Sequence, residues 1–305
     1  MPSGRQGAFH IFRFSGIDVF LHWSWFLVAI FEIQGRTRNY SSPMWNVLEY
    51  LALFAIVTLH EFGHALACRQ VGGTANTIVL WPLGGVAYVN PPQRPGATLW
   101  SIAAGPLVNV ALIPVLYGLG LLSQSLGWRE VYPDLYSLLR ALWSIDLGLL
   151  IFNLLPVYPL DGGQILRSLL WFVMGRARSL MVAAVVGLLG AAGFVALAVW
   201  DQSIWLGAIA VFMLMYSWGA VKQARALSKI AKLPRRDGVA CPKCGAAPPL
   251  GDLWKCGKCG QPFDTFASNA VCPYCAAQYG VTHCLDCGAA SPIGQWTGVG
   301  AVGTK

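Results

Sequence analysis

Long runs of apolar residues follow one another through the first 221 residues of the chain, and few charged residues interrupt them. A helix that is apolar on every face belongs in a large core or in a membrane. A helix rises about 1.5 Å per residue, so about 20 residues cross the hydrocarbon core of a bilayer. The pattern therefore predicts about six membrane spans, at residues 18–34, 47–68, 97–122, 137–157, 180–200 and 203–221.

One further apolar segment, Leu160–Val173, is too short and too interrupted to predict a seventh span. It follows two prolines, Pro156 and Pro159, which break the fourth span. We interpret this segment as a half-helix on the cytoplasmic side or as an interfacial segment.

The composition excludes a soluble fold. Apolar residues make up 56% of the chain and charged residues 11%, whereas soluble domains average roughly 45–50% and 25%. A single core of this size cannot bury so much apolar surface. The composition also excludes a disordered chain, a coiled coil, a collagen and a small disulfide-bonded protein. We predict an all-α, multi-pass membrane protein with a membrane domain over residues 1–221.

The net charge of +8 fits this topology. Basic residues of the membrane part gather on one side of the predicted bilayer, and the opposite side carries only Arg36, Arg38, Arg129 and Arg140. Cytoplasmic loops carry the excess of Lys and Arg, so both termini are predicted to be cytoplasmic. Basic loops also face anionic lipid headgroups, and no specific nucleic acid is expected as a partner.

The second predicted span contains the sequence His60-Glu61-Phe62-Gly63-His64. Residues four apart project from one helix face, so both imidazoles can reach a single zinc ion. Glu61 lies beside them, where it can take a proton from a reacting water. Ionisable groups inside a membrane span are costly to bury and usually functional.

A catalytic zinc needs a third protein ligand, and the sequence offers two candidates, Cys68 and Asp161. Cys68 lies two turns beyond His60, about 12 Å along the axis, so one helix can hardly place all three on one ion. Asp161 follows the prolines that break the fourth span, and such a break can aim a carboxylate into the bundle. Geometry therefore favours Asp161.

Five segments together resemble the site-2 protease family of intramembrane zinc metalloproteases. The paired signature is His60–His64 in an early span and Asn153–Gly163 in a later one. Gly16–Trp23, Trp81–Val86 and Ala104–Asn109 are similar to further family segments. The resemblance covers roughly residues 14–221.

The resemblance implies zinc ligation by His60, His64 and Asp161, with Glu61 as the catalytic base. It also implies that Asn109 and Asn153 lie near the substrate backbone or the oxyanion. The implied activity is hydrolysis of a peptide bond in or near a transmembrane helix of a substrate protein, in a prokaryotic cytoplasmic membrane. The alternative is a non-proteolytic membrane scaffold that recruits a partner through its C-terminal segment.

Three other features of the membrane part give further expectations. The alternating segment Thr77–Asn90 resembles the family's membrane-associated β-hairpin, which could pair with an extended substrate strand. Asp146, seven residues before Asn153 and on the same helix face, stands where the family commonly has an amide. It is expected to contact either the active-site network or only a neighbouring helix. His22 is expected to make a structural polar contact.

The C-terminal segment changes in character to cysteine-rich and Gly/Pro-rich. We predict a basic linker at 222–240, a small β-rich double zinc ribbon at 241–290 and a disordered tail at 291–305. Cys-x-x-Cys pairs are typical of structural zinc sites, and thiols on the cytoplasmic side stay reduced rather than forming disulfides. We expect a site for a cytoplasmic protein partner here, and zinc at one catalytic and two structural positions. Sequential pairing gives a first ribbon of Cys241, Cys244, Cys256 and Cys259 and a second of Cys272, Cys275, Cys284 and Cys287, with an interleaved cross-brace as the alternative.

Overall fold

A computed structural model of the chain describes residues 7–26, 40–81 and 84–296. A four-stranded sheet packs on a bundle of helices, and the first long helix lies between its second and third strands in the chain. A small cysteine-rich unit follows the bundle. The helices are α1 (Pro43–Gln70), α2 (Pro95–Ser125), the short α3 (Trp128–Val131), α4 (Pro133–Leu154), α5 (Asp161–Trp200) and α6 (Ile204–Ala231).

Five helices of the described part, α1, α2, α4, α5 and α6, are long and apolar enough to cross a membrane. They confirm the second to sixth predicted spans. Proline opens α1, α2 and α4, where its missing N–H costs no hydrogen bond. Ser42 and Ser203 cap α1 and α6 by accepting backbone N–H bonds at 3.3 Å.

The start of the first predicted span is wrong. Where a helix over 18–34 was expected, β2 (Ile17–His22) forms a strand, and β1 (Ala8–Phe14) precedes it. Residues 27–39 lie outside the described residues. Ile17 and Val19 are fully buried and alternate with less buried residues, which is the period of a half-buried strand.

The predicted hairpin at 77–90 is confirmed as β3 (Thr74–Trp81) and β4 (Gly84–Asn90). The sheet order is β1-β2-β3-β4, with β2 and β3 parallel and the other neighbours antiparallel. Ile17, Ile78 and Leu80 pack with Phe62 of α1 in one apolar cluster. The sheet therefore lies against the helix that carries the two histidines.

Arg69 fastens the end of α1 to this sheet. Its guanidinium donates to the carbonyl oxygens of Ser15 (2.5 Å), Gly16 (2.9 Å) and Ala75 (2.8 Å). One side chain thus joins the β1–β2 turn and β3 to the last turn of the histidine-bearing helix.

Helix α5 is broken at Gly175, whose φ of 79° and ψ of 171° lie outside the helical region. A positive φ favours glycine because it has no Cβ. Phe172 before the break approaches Gly96 at the start of α2, and Gly187 after the break lies against Tyr158. The first half therefore runs away from residue 161 and the second half returns, which agrees with the half-helix expected at 160–173.

The cysteine-rich unit contains two small hairpins, in agreement with a β-rich ribbon domain. The first pairs β5 (Trp254–Lys255) with β6 (Pro262–Phe263), and the second pairs β7 (Thr282–His283) with β8 (Ala290–Ser291). The predicted disordered tail at 291–305 therefore begins too early. Trp296 is fully buried, packs with Cys241 and Cys284 and contacts Phe266 edge to face, with 4.9 Å between ring centroids.

The predicted linker at 222–240 is also partly structured. Helix α6 continues to Ala231. Beyond it, Arg235 pairs with Asp286 at 2.7 Å and Arg236 pairs with Asp264 at 2.6 Å. Two of the six basic residues of the predicted linker therefore bind acidic residues of the ribbon unit.

We predict that Trp296→Ala destabilises the ribbon unit by about 3–5 kcal/mol, as expected for a buried tryptophan. Tyr274→Ala is the matched control, because that aromatic side chain belongs to the same unit and is 63% exposed. Amide hydrogen exchange of residues 241–291 in the full-length protein measures the difference. Equal exchange in the two variants would contradict the packing role of Trp296.

Candidate active site and cysteine clusters

Helix α1 carries His60 and His64 on one face, four residues apart, and both are buried, with 3% and 6% exposure. Their Nε2 atoms lie 3.0 Å apart. Glu61 is also buried, and its carboxylate lies within 4.8 Å of the ligand atoms of both histidines. The apolar helix thus holds three polar groups at one point.

Asp161, the first residue of α5, completes this cluster. Its Oδ2 lies 3.0 Å from Nε2 of His60 and 3.3 Å from Nε2 of His64. The turn of residues 155–160 before it is tight. A Cβ on Gly162 would collide with the carbonyl oxygen of Leu154, and one on Gly163 with the backbone of Tyr158. The two glycines therefore allow the chain to bring a carboxylate back to α1.

The three converging atoms fit a zinc ion. Atoms about 2.0–2.1 Å from a tetrahedral zinc are about 3.3 Å apart, and two imidazole nitrogens with one carboxylate are a common catalytic donor set. The observed separations of 3.0, 3.0 and 3.3 Å are close to this value. Gly105 of α2 leaves the space open, since a Cβ there would collide with the ring of His64 and lie 2.9 Å from Nε2 of His60.

The far side of each imidazole is held by a different group. Nδ1 of His64 donates to the carbonyl oxygen of Ser101 at 2.9 Å. Nδ1 of His60 lies 2.5 Å from Oδ1 of Asn109. Both partners are acceptors, so each Nδ1 carries the proton and each Nε2 keeps its lone pair. Both histidines are therefore in the tautomer that can bind a metal through Nε2.

Asn109, which the resemblance implies to lie near the substrate backbone or the oxyanion, has partners within the protein. Its side chain is fully buried, its Oδ1 binds His60, and its Nδ2 donates to Asp146 at 2.6 Å. Asn153 differs: it is half-buried near the end of α4, and its side-chain amide has no hydrogen bond within the described part of the chain.

The remaining expectations for the membrane part have clear outcomes. Cys68 points its Sγ toward the carbonyl oxygen of Thr74, at 3.6 Å, and is buried in the cluster between α1 and the sheet. His22 stacks on Trp81 with 3.8 Å between ring centroids and bonds to Ser24. Asp146 joins the active-site network through Asn109.

The eight tail cysteines form two tetrads, but the predicted pairing is wrong. Cys241 and Cys244 meet Cys284 and Cys287, and the inner tetrad is Cys256, Cys259, Cys272 and Cys275. The arrangement is nested, neither sequential nor a cross-brace. Each Cys-x-x-Cys turn has the same local geometry, so partner choice depends on the fold of the intervening chain.

The sulfur separations suit tetrahedral zinc in both tetrads. A Zn–S bond of about 2.3 Å places neighbouring sulfurs about 3.8 Å apart. The observed pairs lie at 3.7 and 3.8 Å in the outer tetrad and at 3.5 and 3.7 Å in the inner one. The backbone N–H of Cys259 and the hydroxyl of Tyr279, both directed at the Cys256 sulfur, lower the pKa of that thiol to about 5. Cys256 of the inner tetrad therefore readily forms the thiolate that metal binding requires.

Comparisons with known proteins agree with this site. Residues 49–133 and 128–197 match the sequence model of Peptidase family M50. The chain is 34% identical over 180 residues to the zinc metalloprotease MJ0392 of Methanocaldococcus jannaschii, a match over 59% of this chain and 50% of the relative. It is 31% identical over 122 residues to the stage IV sporulation protein FB of Bacillus subtilis, over 38% of each chain.

The fold is similar to the solved structure of a site-2 protease from Methanocaldococcus jannaschii. The TM-score is 0.51 at 28% identity, over 70% of this chain and 95% of that chain. The chain spans about half the length of the curated relatives it matches. The matched residues of the family model include the whole histidine–carboxylate cluster and exclude the cysteine tetrads.

We predict that replacing Cys244 and Cys284 together with Ser removes one zinc ion from the purified protein. Both residues belong to the outer tetrad, so the inner one keeps its metal. Cys244→Ser with Cys272→Ser, one from each tetrad, is the matched control and should remove two zinc ions. Elemental analysis of zinc per chain measures both. Loss of two ions from the first variant would contradict the nested pairing.

Proposed function

We propose that this chain, which belongs to Peptidase family M50, the site-2 proteases, is an intramembrane zinc endopeptidase. It hydrolyses peptide bonds in or near the transmembrane helices of other membrane proteins. The observation that carries the proposal is the convergence of His60, His64 and Asp161 within 3.3 Å inside a bundle of apolar helices. Such a cluster in a membrane is costly to maintain without a function.

In this proposal His60, His64 and Asp161 hold the catalytic zinc. A zinc ion bound there would polarise the scissile carbonyl and lower the pKa of an attacking water. Glu61 accepts the proton of that water and passes it to the leaving amine. Its burial supports this role, because a carboxylate that is 5% exposed has little competing solvent.

Asn153 is the proposed donor to the developing oxyanion. It lies half-buried near the end of α4, seven residues before the turn ends at Leu160, and its side-chain amide has no hydrogen bond to the described residues. A side-chain amide that is free to donate is suited to a negative oxygen that exists only during the reaction. Asn109 has no role with the substrate in this mechanism, because both ends of its amide are engaged.

The substrate must present an extended backbone, since a helix shields its peptide bonds. Strand β4 forms one edge of the described sheet, and β3 beside it packs against α1. An edge strand can pair with an extended segment of another chain. We therefore propose that a locally unwound transmembrane segment of the substrate aligns on β4, with both termini of the enzyme in the cytoplasm and the bundle in a prokaryotic cytoplasmic membrane.

The cysteine tetrads are proposed to hold two structural zinc ions beside the one catalytic ion. The unit they form acts as a cytoplasmic module that regulates the protease or recruits a protein partner. Its contact with the core supports regulation: Arg176, directly after the break in α5, donates to the carbonyl oxygen of Asp286 at 3.2 Å. Asp286 lies between two cysteines of the outer tetrad.

We predict that Glu61→Gln abolishes cleavage while zinc stays bound at the catalytic site, because the amide keeps the size of the side chain but cannot accept a proton. The loss should be at least about 100-fold, the usual contribution of a general base. Asp161→Asn should lower both zinc content and cleavage, since a neutral amide is a poorer ligand. A transmembrane peptide in liposomes, with product masses determined, reports cleavage. Full activity of Glu61→Gln would refute the proposed base.

We predict that Arg176→Gln loosens the ribbon unit from the core without removing its zinc. Cleavage of a native substrate should change, whereas cleavage of a minimal transmembrane peptide should stay near normal. Arg178→Gln, two residues away and exposed, is the matched control for loss of charge. Equal loss on both substrates would show that the ribbon is part of the protease fold rather than a regulatory module.

A further inference from the structure

We propose that Asp146 is a positioning residue for the zinc ligand His60 and that it acts through the side-chain amide of Asn109. The inference deepens the proposed function and rests on it, because it concerns the same metal site. It assigns a role to a buried acid that the hydrolytic mechanism does not use.

A chain of two hydrogen bonds joins three helices. Nδ1 of His60 on α1 donates to Oδ1 of Asn109 on α2 at 2.5 Å, and Nδ2 of Asn109 donates to Oδ1 of Asp146 on α4 at 2.6 Å. The three residues are 3%, 0% and 0% exposed. Each helix contributes one residue to this chain of hydrogen bonds, and Asn109 takes part in both bonds, so the three positions can be changed separately.

The direction of each bond follows from the chemistry of its ends. The side-chain amide of Asn has a carbonyl oxygen that accepts and an NH₂ group that donates. Rotation about the Cβ–Cγ bond exchanges the positions of these two groups. Oδ1 of Asp146 accepts the hydrogen bond from Nδ2 of Asn109, and this bond holds the NH₂ group of Asn109 toward Asp146. The carbonyl oxygen of Asn109 must then face His60, and Nδ1 of His60 must carry the proton.

The consequence lies on the other side of the ring. With the proton on Nδ1, the lone pair of His60 stays on Nε2, which lies 3.0 Å from the carboxylate oxygen of Asp161. If Asn109 were free to rotate, its NH₂ group could face Nδ1 and favour the tautomer with the proton on Nε2. That tautomer cannot bind a metal at this position. Asp146 therefore selects the metal-binding form of His60 from a distance.

His64 does not need such a chain of hydrogen bonds to fix its tautomer. Nδ1 of His64 donates to the backbone carbonyl of Ser101, an acceptor that cannot rotate or exchange its role. The other oxygen of Asp146, Oδ2, is buried and has no hydrogen-bond partner in the described part of the chain. Burying a carboxyl group in an apolar bundle with one oxygen unpaired costs free energy. This cost supports a function for Oδ1, the oxygen that binds Asn109.

The test measures metal affinity at the histidine site in the full-length protein. Cadmium-113 NMR separates this nitrogen–oxygen site from the two thiolate tetrads, and competition with a chelator gives the affinity. Asp146→Leu should weaken binding at the histidine site by about 10–100-fold, the usual effect of removing a partner of a metal ligand. The tetrads should keep their metal and thereby show that the protein is folded.

Two further variants separate positioning from general stability. Asp146→Asn keeps the size but offers either face of an amide to Asn109, so a smaller loss of affinity is expected, and it serves if Asp146→Leu does not fold. Glu49→Gln, the same acid-to-amide change at another buried site on α1, should leave the affinity unchanged.

A double variant tests whether Asp146 acts through Asn109. If Asp146 acts only through Asn109, then Asn109→Leu combined with Asp146→Leu should bind metal no more weakly than Asn109→Leu alone. Additive losses, or wild-type affinity in Asp146→Leu, would overturn the inference. Failure of the wild-type protein to bind metal at His60, His64 and Asp161 would instead overturn the proposed function, so the two failures are distinguishable.

Discussion

Polar groups inside an apolar bundle must find partners within the protein, and this constraint determines much of the membrane part. The two histidines leave no ring nitrogen without a partner: each Nδ1 has an acceptor, and each Nε2 faces the common point shared with Asp161. The helices must therefore approach closely. A Cβ on Gly63 would lie 2.6 Å from the carbonyl oxygen of Ala104, so this contact between α1 and α2 depends on the absence of a side chain.

The same constraint explains why the chain is interrupted between α4 and α5. The carboxylate that touches both histidines, Asp161, comes from another helix, so the chain must return to the level of His60. The prolines of residues 155–160 end α4, and Gly162 and Gly163 allow α5 to begin against the preceding backbone. The break at Gly175 then lets α5 turn back and pack alongside that turn. Residues that break helices are thus needed to build the site.

Sequence reasoning succeeded where the determining interactions are local. Apolar run lengths predicted six spans, of which the structure confirms five. Helix periodicity predicted the histidine pair, and the resemblance of an alternating segment to the family's hairpin predicted β3–β4. It failed where the partner is distant. Strand β2 is short and apolar like a span, and its identity depends on pairing with β3, more than fifty residues later. Trp296 lies in a stretch of small residues, but it is ordered by packing against Cys241 and Cys284. The link from Asp146 to His60 also passes through a third helix.

The nested tetrads fail prediction for the same reason, and their arrangement has a physical consequence. Within the inner tetrad Cys259 and Cys272 are 13 residues apart, whereas in the outer one Cys241 and Cys287 are 46 apart. Loop closure makes the longer contact costlier by about 1 kcal/mol in a flexible chain, but the inner tetrad shortens the free loop once it has formed. The inner tetrad is therefore the easier one to close from the unfolded chain. Asp286, which contacts both Arg235 and Arg176, lies between two cysteines of the outer tetrad, so the contact of the ribbon with the core is held by the tetrad that spans the longer loop.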